Sequence, residues 1–161
     1  MAANDFVDLD MVLGHGLLTE VSTSQLYPLG MVRRGYNPLG GGVQEWVYVK
    51  NTSGGTLAVG EGLMFAAGSN DFGNTSLSAA SCPRPRFVGV AQHAIANNSY
   101  GWVQRRGVCT IKSTAGVNAN SGIKPSNSGV FTHGTMGTDD LLGAVGAAIP
   151  AGATGSCYLA G

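Results

Sequence analysis

Beyond residue 25 the chain runs in short stretches rich in Val, Tyr, Trp, Phe and Thr, each broken by a cluster of Gly, Asn or Ser. Stretches of roughly four to eight such residues mark strands, and the small polar clusters between them supply turn backbone. Strands are predicted over 25–33, 43–51, 56–59, 63–67, 86–96, 101–106, 108–114, 129–133, 141–149 and 156–159. In Glu45-Trp46-Val47-Tyr48-Val49-Lys50 neither alternating face is purely polar, so both faces of that strand are expected to meet protein. Ser53-Gly54-Gly55, Asn97-Asn98-Ser99 and Asn120-Ser121-Gly122 tolerate positive φ or bond their own backbone, which makes hairpins the natural connection. The pattern predicts an all-β fold, a barrel or sandwich, over residues 25–161.

One stretch echoes another at a constant offset. Phe87-Val88-Gly89 through Gly101 matches Leu141-Leu142-Gly143 through Gly155, aligning Gly89 with Gly143, Ala94 with Ala148, Ile95 with Ile149 and Gly101 with Gly155. In so Gly- and Ala-rich a chain, coincidence is one reading. The other is a pair of similarly shaped hairpins in which mid-strand Gly permits a bulge or a close backbone approach.

Residues 1–24 read as an extended N-terminal arm. Asp5, Asp8, Asp10 and Glu20 fall there without a Lys or Arg. Asn4 is placed to cap a short helix with Asp5 and Asp8 in its first turn and Gly14 at its end, leaving Phe6, Leu9, Val12 and Leu13 apolar. A helix of about nine residues is not stable alone in water, so the segment either docks on something or frays.

Composition sharpens this picture. Charged residues are 11% of the 161, and nine Lys plus Arg balance nine Asp plus Glu. No global field favours nucleic acid or an anionic membrane. No run approaches the roughly 18 apolar residues of a spanning helix, and the acidic start lacks the basic residues of a secretory signal, so neither an anchor nor export is expected. A free domain of this kind carries about 25–35% charged residues on its surface. This chain falls short, so either partners cover part of it and pair its strand edges, or it is a closed barrel coated by Ser, Thr and Asn.

Candidate chemistry is sparse. Cys82, Cys109 and Cys157 are odd in number and widely spaced, and are expected to be buried free thiols. His15, His93 and His133 are isolated, so no metal site and no cofactor is expected. No Ser sits in a strand-to-helix GxSxG elbow, and Gly40-Gly41-Gly42 precedes a strand rather than an anion-binding helix. Asp139 and Asp140 are adjacent and, in a strand, point to opposite faces, which prevents acid/base work on one substrate. The chain is not expected to be an enzyme. Arg33-Arg34, Arg84 with Arg86, and Arg105-Arg106 hold six of the nine basic side chains. Trp102 beside Arg105 and Arg106 is the one local hint of a nucleic-acid surface, and the alternative is a protein interface, which suits planar, weakly hydrated guanidinium groups. Arg33, Arg34, Trp102, Arg105 and Arg106 are therefore the subunit-interface candidates.

At Tyr27-Pro28-Leu29-Gly30, Trp46-Val47-Tyr48-Val49-Lys50-Asn51, Val59-Gly60-Glu61-Gly62, Phe87-Val88-Gly89-Val90-Ala91 and Tyr100-Gly101-Trp102-Val103-Gln104, the chain resembles small structural proteins of tailed bacteriophages, above all head decoration or capsid cement proteins. The resemblance covers roughly residues 25–161. It implies a compact Greek-key or β-tulip-like barrel or sandwich, made in the host cytoplasm, self-associated as a homotrimer, and docked on the outer capsid surface of the virion. There it stabilises the shell by bridging neighbouring major capsid protein subunits. Phe6, Val7, Leu9, Val12 and Leu13 of the arm are the capsid-interface candidates. The alternative expectation is a carbohydrate- or receptor-binding module of a phage fibre or tail, with Trp46, Tyr100 and Trp102 as stacking platforms.

Overall fold

The computed structural model describes residues 7–8, 18–37, 42–80 and 82–161. The described residues form eleven strands: β1 (Val7–Asp8), β2 (Val32–Asn37), β3 (Gly42–Lys50), β4 (Gly62–Phe65), β5 (Thr75–Leu77), β6 (Phe87–Ala91), β7 (Tyr100–Lys112), β8 (Ser121–Pro125), β9 (Phe131–Gly134), β10 (Gly143–Val145) and β11 (Thr154–Ala160). They form a single curled, half-barrel antiparallel sheet in the order β1-β2-β3-β7-β11-β10-β8-β9, with β6 joining β7 to β4 and β5. The fold is all-β, as the alternation predicts.

Several elements differ from the pattern for local reasons. The two strands predicted over 101–106 and 108–114 are one strand, β7, bent where Gly107 takes φ +93. A Cβ at Gly107 would lie 2.5 Å from the Val43 carbonyl oxygen, so only Gly lets β7 run on past the end of β3. Of the strand predicted over 25–33, only Val32 and Arg33 fall within a strand, because Pro28 has no N–H to donate and Gly30 turns the chain at φ +77. Val7 and Asp8, inside the predicted arm helix, are instead extended and pair with Tyr36 and Gly35 of β2. Pairing there satisfies part of the open edge of β2, which a short isolated helix does not do. The rest of that predicted helix lies outside the described residues. Residues 18–24, the end of the predicted arm, rest on the β domain: Leu18 is buried, and Ser22 pairs with Tyr100 through both backbone groups.

The echo is a structural duplication larger than the sequence match. β4 pairs with β5 and β6, and β6 with β7; in the same manner β8 pairs with β9 and β10, and β10 with β11. Registers coincide: Gly62 faces Val90 and Leu63 faces Gly89, as Gly122 faces Ala144 and Ile123 faces Gly143. Leu57 bridges Ile95, as Val117 bridges Ile149. The opening strands correspond too, since β3 places Val49 opposite Gly101 and β7 places Ile111 opposite Gly155. Thus β7 is shared, its first half closing unit one and its second half opening unit two. Every buried residue of one core cluster (Val47, Val49, Leu57, Leu63, Val88, Ala91, Ile95, Val103) has a buried equivalent in another (Cys109, Ile111, Val117, Ile123, Leu142, Val145, Ile149, Cys157). Both units also stack an isoleucine on a strand glycine. A Cβ on Gly101 would meet Ile95 at 2.9 Å, and one on Gly155 would meet Ile149 at 2.5 Å.

Candidate interaction surface

The two units differ on the face of their shared strands that points away from these cores. In unit one that face carries Trp46, Tyr48 and Trp102, all buried. The chain's own residues 18–31 cover it, packing Leu18, Tyr27, Leu29 and Met31 against the aromatics. Tyr27 meets Tyr48 edge-on at 5.1 Å and Trp102 at 5.5 Å. The Tyr48 hydroxyl accepts a hydrogen bond from the Leu26 N–H, and burial pushes that phenol above its ordinary range. β3 is therefore buried on both faces, as its mixed alternation requires.

Among the described residues, no segment covers the same face of unit two. By register, Trp46, Tyr48 and Trp102 correspond to Val108, Thr110 and Ser156, and Gln104 to Tyr158. Tyr158 is 47% exposed. Beside it lies an open groove of about 390 Å³ lined by Val108, Ala144, Ala147, Ala148, Ile149 and Tyr158, among other small residues. The groove lining carries no charged side chain. The edge of β7 next to this face is closed by side chains rather than by a strand. Gln92 both accepts from the Thr110 N–H and donates to its carbonyl, each at 2.9 Å, while Gln44 and Gln104 donate to the Val108 carbonyl. Amides placed this way satisfy the strand edge and keep it from recruiting another strand. Nothing in the alternation pattern marks these glutamines.

The predicted interface residues divide. Trp102 is fully buried and Arg33 is 7% exposed, with the guanidinium 5.4 Å above the Trp102 ring. Both side chains serve the interior of this chain, a correction to their reading as contacts to another subunit. The cause is the same weak hydration that suggested an interface, because a guanidinium stacks on indole as readily inside a chain as between chains. Arg34 and Arg105 share Glu45, at 2.8 and 4.0 Å, on the surface, and Arg106 is exposed. Arg84 donates to the Gly161 carbonyl and Arg86 to those of Phe65 and Ala66, so that pair ties loops together. Of the arm candidates, Val7 lies in β1, and Phe6, Leu9, Val12 and Leu13 lie outside the described residues. Trp46 and Trp102 are unavailable as stacking platforms because neither has an exposed face, and Tyr100 is half-buried beside Tyr48.

The remaining candidates serve structure. Asp139 takes a hydrogen bond from Lys124 that holds its carboxyl below the usual range, and Asp140 accepts from the Arg84 N–H. The adjacent carboxylates thus have separate partners. Cys82, Cys109 and Cys157 are buried free thiols, as expected, and burial pushes Cys82 up to about 11. His93 is partly buried with neither ring nitrogen bonded among the described residues, and desolvation lowers its pKa. No three His, Cys, Asp or Glu side chains gather as a metal-ligating group among the described residues.

No protein-family profile matches the chain, and no curated protein matches it in sequence. Among solved structures, its fold is similar to the N base of the head fiber gp8.5 in bacteriophage phi29, with a TM-score of 0.52 over 71% of this chain and 92% of that one, at 9% identity.

Proposed function

We propose that this chain is a structural protein of a tailed-phage virion, carried on the outside of the head, and that the bare face of unit two is the surface it turns to a neighbouring virion protein. The observation that supports the phage role is the fold likeness to a head fiber base, which spans nearly the whole of that solved base at negligible identity. The low charge and the open, uncharged groove beside Tyr158 support a face that is covered in the assembled particle. In one form the chain self-associates as a trimer and cements the shell by bridging major capsid protein subunits, with affinity raised by multivalent attachment. In the other it is the base of a projecting fibre, a reading favoured by the part of the fiber that the similar fold comes from. Neither form needs a catalytic site.

The test is a cryo-EM map of particles that contain the chain, with wild-type protein and with Tyr158→Arg. The proposal expects density for the fold on the head exterior, lost or depleted in the variant while the isolated variant stays folded. A chain found only at the tail, or absent from purified particles, contradicts it. Contacts spanning adjacent capsid subunits identify a cement, and rod-like density rising from the domain identifies a fibre base.

A further inference from the structure

We infer that Cys109 and Cys157 are a built oxidation site, held as two thiols in reducing surroundings and joined as a cross-strand disulfide in oxidising ones. The two residues lie directly opposite each other in the β7–β11 ladder, and their sulfurs are 3.4 Å apart. Directly opposed residues of an antiparallel pair have Cα atoms about 4.5–5.5 Å apart, inside the roughly 4.4–6.8 Å that a disulfide spans. Closing the bond moves the sulfurs together without a change of register.

Packing alone does not call for this pair. The equivalent positions of unit one are Val47 and Val103, also directly opposed and fully buried. The duplicated core is therefore satisfied by two small apolar side chains at this place. Unit two fills it with two of the three cysteines of the whole chain. Cys82 sits elsewhere, beside Arg86 and Asp140, with no thiol neighbour among the described residues.

Glutathione disulfide balances the chemistry. One cysteine thiolate attacks a glutathione sulfur, expelling glutathione thiolate and leaving a mixed disulfide. The second thiolate then attacks the protein sulfur of that mixed disulfide and expels the other glutathione. The two thiol protons and two electrons leave with two glutathione thiols. Both sulfurs are buried, so exchange proceeds through opening of the β7–β11 pair or during folding. The bond stands on this geometry alone. Its timing, thiols in the host interior and disulfide in the released particle, rests on the virion reading.

The full chain is refolded in glutathione buffers of rising oxidised fraction, free thiols are alkylated, and the products are weighed intact and as peptides. In the most oxidising buffer one alkyl group is expected in place of three, with the Cys109 and Cys157 peptides linked and a higher unfolding midpoint than in the reduced protein. Cys157→Val, which copies unit one, is expected to fold and to keep two alkylatable thiols in every buffer. Three alkyl groups throughout, a link through Cys82, or a lower midpoint on oxidation would overturn the inference. Alkylation of released particles tests the timing separately: free Cys109 and Cys157 there, with the bond formed in the buffers, removes only the link to the virion.

Discussion

Units one and two build the same core from matched positions yet finish their outer faces differently. Unit one seals its outer face with Trp46, Tyr48 and Trp102 under residues 18–31, whereas unit two leaves Ser156 and Tyr158 exposed and Thr110 half-buried. The cores have kept their shape because a close-packed interior tolerates little change in volume or backbone path. The outer faces carry no such constraint: one is a second core and the other is a surface. The contrast teaches where to look for function: the feature that is not duplicated, rather than the arginines or tryptophans that attract the eye in the sequence.

The largest expected effect exploits one equivalent pair. Trp102→Ala empties the sealed face and should cost about 3–5 kcal/mol, enough to unfold much of a marginal domain. Ser156→Ala, at the matching place in unit two, should lie within about 0.5 kcal/mol of wild type. Denaturant melts of the two variants check this, and similar costs at both positions would break the comparison.

A middle-sized effect tests what the units share. Gly155→Ala drives a methyl into Ile149, and Gly101→Ala drives one into Ile95. Each should cost about 1–3 kcal/mol from overpacking, with Gly155 the more sensitive because its contact is tighter. Thermal melts that found either change neutral would argue against the isoleucine-on-glycine stack.

The smallest effect is one of pH. His93 corresponds to Ala147 in unit two by its place before Ile95 and Ile149. Desolvation lowers the His93 pKa from its ordinary 6.5, so the unfolded chain binds a proton that the native state refuses. Stability is therefore full above pH 6.5 and falls as pH drops below it, levelling once the folded-state pKa is passed. His93→Ala should flatten that slope in melts between neutral and mildly acidic pH. An unchanged slope would assign the pH dependence to another group.

How far the sequence carries the fold follows from the same comparison. Strand alternation and the Gly–Ile spacing from residue 87 onward are local, so the all-β class and one stretch of the duplication can be read directly. The matches of Val47 with Cys109, Leu57 with Val117 and Leu63 with Ile123 cannot, because loops of unequal length shift them off the single offset that holds from residue 87 onward. Thr75–Leu77 is too short to show alternation. Residues 25–31 have the apolar content of a strand, yet Pro28 and Gly30 turn them into a cover. Trp102 and Arg33 were beyond the reach of pattern for a different reason: alternation says which residues share a face, not what lies against it. The groove beside Tyr158 is lined mostly by small Ala, Gly and Ser residues drawn from separate strands and loops, so it becomes visible only when the strands are assembled.

Hydroxyl-radical footprinting of the full chain in dilute solution tests the unequal faces most directly. Tyr158 should be oxidised rapidly while Tyr48, Trp46 and Trp102 stay protected until the protein unfolds. Oxidation of Trp102 as fast as Tyr158 in the native protein would mean that residues 18–31 do not seal unit one, and would contradict the account.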